Sequence, residues 1–536
     1  MLSLLFATVQ SQFITATNSS IPNNLLLPRP QQVNFGTESR AISGNVQFSL
    51  MDKQSDYFMQ NAQRYQQIFF ADGCPTGTDK TLIKVYIANS DAGITADESY
   101  NLTVPSTGPI LIQSNYGIGA KRALESLSQL ITPITSVPAF VLQSHRCSNL
   151  NVQQGFRIQN TPWQISDYPQ YKHRGLLLDT SRHFISKENI FSIMDGMEAA
   201  KMNVFHWHIV DSQSFPLESN IVPLNPYSPW QIYSKRDVKE IINYAYIRGI
   251  RVIPEFDMPG HTTAWKIKDF IVCDNKQPWT SYCNEPPCGQ IDITKKKNLD
   301  IIQQFIAEQS RIFSDQYIHL GSDEVNSNCY LSDPGVSQYL NSTGMTLDQL
   351  LSNFTHSVKQ YAKDSKKQTI FWEETVLDHQ INMTGSVIQA WIGQESVQKL
   401  VNLGYSVIAS PYKEWYLDCG RGNFVSGLNS WCDPYKTWRT VYEYDPLLGV
   451  DPKSSHLVLG GEVAMWSELV DNDDVQAILF PRAFAAAEVL WGSPNRSWEE
   501  AIYRLDQFRT GLSFRKIKVG ALWPTFCQGG KCANKQ

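Results

Sequence analysis

Two hydrophobic patterns divide the chain. From about residue 22 to 170, short runs alternate apolar and polar positions, as in 81–87, 100–104 and 108–112. A period of two marks strands with one buried face, so these runs predict a small sheet. Residues 118–131 show helical spacing instead, and together they predict a compact α+β domain over 22–170. The turn-rich stretch from Gln159 to Pro169 reads as the connection between this domain and the rest of the chain.

From about residue 172 short apolar runs alternate with helical patterns. Strands are predicted at 175–178, 203–206, 251–256, 317–320, 369–371, 387–390, 406–409 and 458–460, with helices between them at 187–201, 236–248 and 298–313, among others. Eight strands with crossovers point to an α/β fold: a (β/α)8 TIM barrel over 171–536, with a C-terminal extension and Cys-bearing insertions at about 266–295 and 415–450.

Composition narrows the function. With 42% apolar and 18% charged residues the chain can build a large core. Its net charge of −5 argues against nucleic acid as a partner. No apolar run reaches the roughly 18 residues of a membrane span. Fourteen Trp and 23 Tyr suit flat ligands such as sugar rings. Residues 1–17 read as a signal peptide, although a basic start is missing. Ten Cys without a C-x-x-C motif read as disulfides, and six N-x-S/T sequons stand at Asn18, Asn101, Asn341, Asn353, Asn382 and Asn495. The expectation is a secreted or lysosomal glycoprotein. The expected pairs are Cys419 with Cys432, Cys527 with Cys532, Cys329 with Cys273, Cys283 or Cys288, and Cys74 with Cys147.

In a TIM barrel the active site lies at the C-terminal ends of the strands. The residues expected there are Asp179 and Arg182; Trp207, His208 and Asp211; Asp257 and His261; Asp323 and Glu324; Trp372; Trp391; Tyr412 to Asp418; and Glu462, Trp466 and Glu468. Carboxylates among indoles suit glycoside hydrolysis, in which a protonated carboxyl serves the leaving oxygen and negative charge stabilises an oxocarbenium-like transition state. Asp323-Glu324 is the sharpest feature. Both can face one pocket only if the chain leaves the extended form, which Gly321 permits. Two alternatives stay open. His206 and His208 share a strand face and could ligate zinc with Asp211, Asp257 and His261. A barrel could also hold sugars without cleaving them.

These motifs resemble family 20 glycoside hydrolases, the β-N-acetylhexosaminidases. The resemblance rests on Arg174-Gly-Leu-Leu-Leu-Asp-Thr-Ser-Arg-His-Phe184, Asn203-Val-Phe-His-Trp-His-Ile-Val-Asp211, Glu255-Phe-Asp-Met-Pro-Gly-His261, His319-Leu-Gly-Ser-Asp-Glu-Val325 and Gly460-Gly-Glu-Val-Ala-Met-Trp-Ser-Glu468, and runs from about 25 to 525. It implies exo-hydrolysis of terminal β-linked GlcNAc or GalNAc, with no cofactor or metal, a glycan as partner and, by family analogy, a homodimer. It makes Glu324 the acid/base, Asp323 the group that orients the substrate's acetamido nucleophile, and Tyr416 the donor to its oxygen. Trp372, Trp391 and Trp466 wall the pocket, Arg182 grips the 3- and 4-hydroxyls, and Glu468 the 4- and 6-hydroxyls. His261 and Asp211 form a relay that tunes Glu324, for which a raised pKa is expected. Asp418 stands at the 6-position, where its charge is expected to repel a sulfate.

Overall fold

The computed structural model describes residues 26–524 apart from 72, 74, 76–78, 135–154, 426 and 493–495. The expected signal peptide therefore lies outside the described residues, as do the pairs Cys74–Cys147 and Cys527–Cys532. Among the described residues no helix is long and apolar enough to cross a membrane.

The first layer is a mixed seven-stranded sheet: β1 (Gln32–Ile42), β2 (Asn45–Leu50), β3 (Lys80–Ile87), β4 (Tyr100–Val104), β5 (Ile110–Ser114), β6 (Ile131–Pro133) and β7 (Phe156–Asp167). Its order is β1-β7-β4-β5-β3-β2, with β6 also on β7. β3 shows why the pattern works: Thr81, Ile83, Val85 and Ile87 are buried while the residues between them are not. Helices Asp56–Ile68 and Gly117–Leu130 accompany the sheet.

One expectation fails here. The stretch 159–169 is mostly strand, since β7 pairs with β1 on one side and β4 on the other. Its turn-forming residues make an irregularity rather than a turn. The register with β1 shifts between Phe35 and Ser39, opposite Thr161 and Gln159. Gly36 permits the close approach, because a Cβ there would run into the Thr161 carbonyl. Burial of Phe156, Ile158, Trp163 and Ile165 outweighs local turn propensity.

Helix Gly117–Leu130 joins the sheet to the second layer through buried ion pairs. Arg122 Nε and Arg174 Nη2 both lie 2.7 Å from the Glu98 carboxylate, and Lys121 Nζ lies 2.9 Å from Glu198. Charges this deep are tolerable only when paired.

The second layer is a closed parallel (β/α)8 barrel. Its strands are β8 (His173–Asp179), β9 (Val204–Val210), β10 (Arg251–Phe256) and, after the short hairpin β11 (Ile271–Val272) and β12 (Gln290–Ile291), β13 (Tyr317–His319), β14 (Gln368–Trp372), β15 (Val387–Ala390), β16 (Ser406–Ala409) and β17 (Val458–Met465). β9 and β17 run longer than expected. Trp207, His208 and Glu462 therefore stand inside strands and not on the rim. Trp207 packs outward on Tyr233 and Phe313, while His206, His208 and Glu462 pair inside the barrel. Polar side chains hide these strand ends in the sequence, because a barrel interior normally reads as apolar.

Cys273–Cys329, Cys283–Cys288 and Cys419–Cys432 are disulfides. Of the three partners considered for Cys329, Cys273 takes it. The first two bridges pin the insertion after β10, and the third pins the insertion after β16.

Candidate active site

The Asp323-Glu324 pair follows β13. Gly321, Ser322 and Glu324 have φ of +60°, +75° and +51°, so the chain leaves the extended form at once. A Cβ on Gly321 would collide with the Asp257 carboxyl, whose Oδ1 accepts the Ser322 N–H at 2.9 Å. This turn sends both Asp323 and Glu324 into a cavity of about 420 Å³ at the barrel mouth.

His261, on the loop after β10, meets Glu324: Nε2 lies 3.2 Å from Oε2. Its Nδ1 lies 3.1 Å from Asp211 Oδ1. Asp211 is fully buried below the cavity, and its Oδ2 faces both Arg182 Nη2 at 3.0 Å and His208 Nε2 at 2.8 Å. Arg182 is held further by Asp179 at 3.4 Å and Glu285 at 2.9 Å, and its guanidinium lies over the Trp466 ring.

The walls are aromatic. Trp372 Nε1 donates to Glu255 at 2.8 Å, and Trp391 Nε1 to Glu374 at 2.9 Å. Trp391 and Tyr416 lie nearly parallel with centroids 6.1 Å apart, and Tyr416 meets Trp466 at the same distance. Trp391, Trp466, Asp418 and Glu468 come from the ends of β15, β17 and the loop after β16, and all line the cavity. Asp418 Oδ1 and Trp466 Nε1 are buried without a protein partner. Such atoms are uncommon in cores and mark where a polar ligand completes the hydrogen bonding.

The electrostatics correct one expectation. Burial pushes the Glu324 carboxyl up, but the hydrogen bond and charge of His261, helped by Asn284 and Arg182, outweigh it and hold the group below its ordinary value. His261 is itself raised well above the usual imidazole range: Asp211 and Glu324 overcome burial. The pocket thus favours a Glu324 carboxylate against a His261 cation. Burial raises Asp323, with His261 and Asp257 opposing. Burial and Asp323 push Asp257 well above its usual range, so Asp257 keeps the proton between the two.

At the opposite end of the pocket carboxyls meet one another. Burial, then Glu468, pushes Asp418 well above its ordinary value, and burial, then Glu285, raises Glu468 to about 8. With its proton held, Asp418 does not repel a sulfate by a full negative charge, so the expectation loses that ground.

Arg182, His261, Asp323, Glu324, Trp372, Trp391, Tyr416, Asp418, Trp466 and Glu468 line this cavity, Asp211 lies one layer below it, and Trp207, His208 and Glu462 do not reach it. Sequence reasoning misses several lining residues. Asn284 and Glu285 sit within the Cys283–Cys288 bridge, and Trp431, 61% exposed, stands beside Cys432 and edge-on to Trp391. The closely spaced cysteines are the available signal, since each bridge presses its loop onto the mouth. For the zinc alternative, both His208 nitrogens face carboxylates, Glu255 and Asp211, and His206 Nδ1 faces Glu462. His206, Glu255 and His319 nevertheless bring ligand-type atoms within 4.8 Å of one another.

Comparison with known proteins adds to this geometry. The model of "Glycosyl hydrolase family 20, catalytic domain" matches residues 171–494, and that of "beta-acetyl hexosaminidase like" matches 26–130. The chain is 32% identical to the chitooligosaccharidolytic β-N-acetylglucosaminidase of Bombyx mori, over 94% of this chain and 88% of that protein. It is 32% identical to β-hexosaminidase 1 of Arabidopsis thaliana, over 96% and 94%. The solved GH20 exo β-N-acetylglucosaminidase from Vibrio harveyi, in complex with N-acetylglucosamine, superposes with a TM-score of 0.77 at 22% identity, covering 94% of this chain and 80% of that one. At that identity the likeness concerns the fold.

Proposed function

The chain belongs to glycosyl hydrolase family 20 and is a β-N-acetylhexosaminidase, and from this premise we propose how its residues divide the work. A terminal β-linked N-acetylhexosamine enters the cavity with its ring against Trp466 and its acetamido group between Trp372, Trp391 and Tyr416. Asp323 Oδ1 accepts the acetamido N–H, and the Tyr416 hydroxyl donates to the acetamido oxygen. That oxygen then attacks the anomeric carbon, gaining the advantage of a held intramolecular nucleophile. Glu324 gives its proton to the departing glycosidic oxygen and later takes one from the water that opens the oxazolinium ring. Arg182 holds the 3- and 4-hydroxyls, Glu468 the 4- and 6-hydroxyls, and Asp418 the 6-hydroxyl. His261 and Asp211 position Glu324, and the proton passes between His261 Nε2 and Glu324 Oε2.

The observation that carries this reading is the pairing of Glu324, on the His261–Asp211 contacts, with Asp323 in one indole-walled cavity. The Bombyx relative's name speaks of chito-oligosaccharides. For this chain the exposed face of Trp431 beside Trp391 supports a second sugar resting at the rim. Disulfides and the exposed asparagines of four sequons, Asn101, Asn341, Asn353 and Asn382, support a secreted or lysosomal glycoprotein.

Release of nitrophenol from its N-acetyl-β-glucosaminide, beside the plain β-glucoside and with EDTA, tests the mechanism. Cleavage of the acetamido sugar alone, unaffected by EDTA, is expected. Cleavage of both sugars would replace the acetamido nucleophile with a protein group. Loss in EDTA would favour a metal at His206, Glu255 and His319.

A further inference from the structure

Two buried acids, Glu373 and Glu374, follow Trp372 directly, and neither lines the mouth cavity. Both turn instead to Trp391, the first residue after β15. Glu373 Oε2 accepts the Trp391 backbone N–H at 2.9 Å, while its Oε1 accepts the Ser396 hydroxyl at 2.8 Å. Glu374 Oε1 accepts the Trp391 indole N–H at 2.9 Å. The end of β14 thus supplies one wall of the pocket, Trp372, and grips a second wall at two points.

The position of Trp391 calls for such a grip. It stands beyond the strand, where the ladder between β15 and β16 has ended at Ala390 and Ala409. Its ring neighbours are Tyr416, Tyr412 and Trp431, with centroids 6.1, 6.3 and 5.7 Å away, and Trp431 is itself largely exposed. The χ2 torsion of an indole has broad, roughly twofold wells. Ring contacts of this kind suit either well, but a half-turn would carry Nε1 to the other side of the ring, away from Glu374. Buried acids are costly unless hydrogen-bonded, and the Trp391 N–H groups are what these two receive. Burial, then Asp323, pushes Glu374 well above its ordinary value, so it keeps its proton and offers the indole a neutral acceptor.

We propose that Glu373 and Glu374 are positioning residues that clamp the Trp391 indole and so set the width of the acyl slot, making them determinants of which N-acyl group the enzyme accepts. The inference rests on the acetamido placement given above, in which Trp391 walls that group. Glu374 touches neither the sugar nor the reacting atoms and acts through one N–H. With the indole held, the slot closes on an acetyl methyl and a longer chain meets a wall that does not swing back. With the indole released, the slot admits another methylene, and the acetamido oxygen is held less firmly for its attack.

Glu374→Leu tests the clamp, because leucine fills similar space without an acceptor. Glu374→Met takes its place should the leucine variant not fold. The measurement is kcat/KM for nitrophenyl β-glucosaminides carrying N-acetyl and N-propionyl groups. A close-fitting pocket rejects one extra methylene by about 10–200-fold, and the variant is expected to lower that preference about tenfold. Glu374→Gln keeps an oxygen for the indole N–H and is expected to retain the wild-type preference, a rescue that a general packing defect would not show. Trp391→Phe removes the donor, so adding Glu374→Leu to it is expected to change the preference no further. The clamp is overturned by a leucine variant with the wild-type preference, by a glutamine variant as relaxed as the leucine one, or by a further loss on top of Trp391→Phe. Trp391→Phe also separates the two readings. If wild type shows no preference, or Trp391→Phe leaves it unchanged, Trp391 does not wall the acyl group and the clamp falls with that placement. If Trp391→Phe lowers the preference while Glu374→Leu does not, only the clamp fails.

Discussion

Glu255 and Glu462 in the barrel interior and Asp418 and Glu468 at its mouth are the same kind of group, all largely removed from water, yet they are poised in opposite directions. Burial pushes every one of them up. In the interior the imidazoles win: His319, His208 and His206 hold Glu255 well below its ordinary range, and His206 and His173 do the same for Glu462. At the mouth the next neighbour is another carboxyl, so Asp418 and Glu468 stay high. Pairing, rather than depth, decides the charge. In the interior imidazoles face the carboxylates. At the mouth Asp418 Oδ1 and Trp466 Nε1 are buried without a protein partner. Unmet hydrogen bonding costs stability, and it accumulates where the substrate is to supply the missing half.

The largest expected effect is at the junction of the two regions. Glu324→Gln should lower kcat on unactivated glycosides by about 10²–10⁴-fold, and by less on nitrophenyl glycosides, whose leaving group needs little protonation. Equal losses on both substrates would remove Glu324 from the acid role. Next is the interior. Glu462→Gln removes the carboxylate that His206 Nδ1 faces at 2.6 Å, and breaking a buried pair of this kind costs about 3–5 kcal/mol, read as a lower urea midpoint. A midpoint unchanged from wild type would show that the interior pairs do not hold the barrel together.

The mouth should respond in the other direction. Glu468 is raised to about 8, so its share of stability is full below the unfolded carboxyl value of about 4.3 and is lost as pH rises through about 8. Glu468→Gln should therefore raise Tm above wild type at about pH 8 while weakening sugar binding. A lower Tm would mean that Glu468 is held as a stabilising anion. His206, raised to about 9, adds a parallel trend: its stabilisation is full below about pH 6.5 and is lost as pH rises through about 9. Glu462 sets the acid limit. Being depressed, it contributes above about pH 4.3 and loses that contribution as pH falls. A thermal-unfolding series should accordingly place maximum stability on the acid side of neutrality. The smallest effect is at the rim. Trp431→Ala should cost about 1 kcal/mol of stacking, about fivefold in KM for chito-oligosaccharides, and nothing for an aryl N-acetylglucosaminide. Equal effects on both would place Trp431 against the terminal sugar.

Much of this is legible in the chain. Eight short apolar runs announce the barrel, and β10, β15 and β16 have the expected bounds. Asp323, Glu324, Arg182 and the indoles stand out because TIM barrels collect polar residues at strand ends. The errors share a cause. β7 reads as a linker because Asn160, Thr161 and Pro162 form turns locally, while the pairing that overrides them comes from β1 and β4, over 50 residues away. Glu462 reads as a rim residue because a carboxyl inside a barrel makes sense only once His206 and His173, far away in sequence, are known to meet it.

Local pattern thus determined the elements, the fold class and the identity of the residues at the mouth, since period, punctuation and motif are properties of neighbours along the chain. The charge on each of those residues, the depth of the relay behind Glu324, and the part that Asn284, Glu285 and Trp431 take in the pocket were decided only in the folded molecule. Each depends on which groups from distant segments come within a few ångströms once water has been removed, and electrostatic interaction at that range is set by distance and surroundings rather than by sequence.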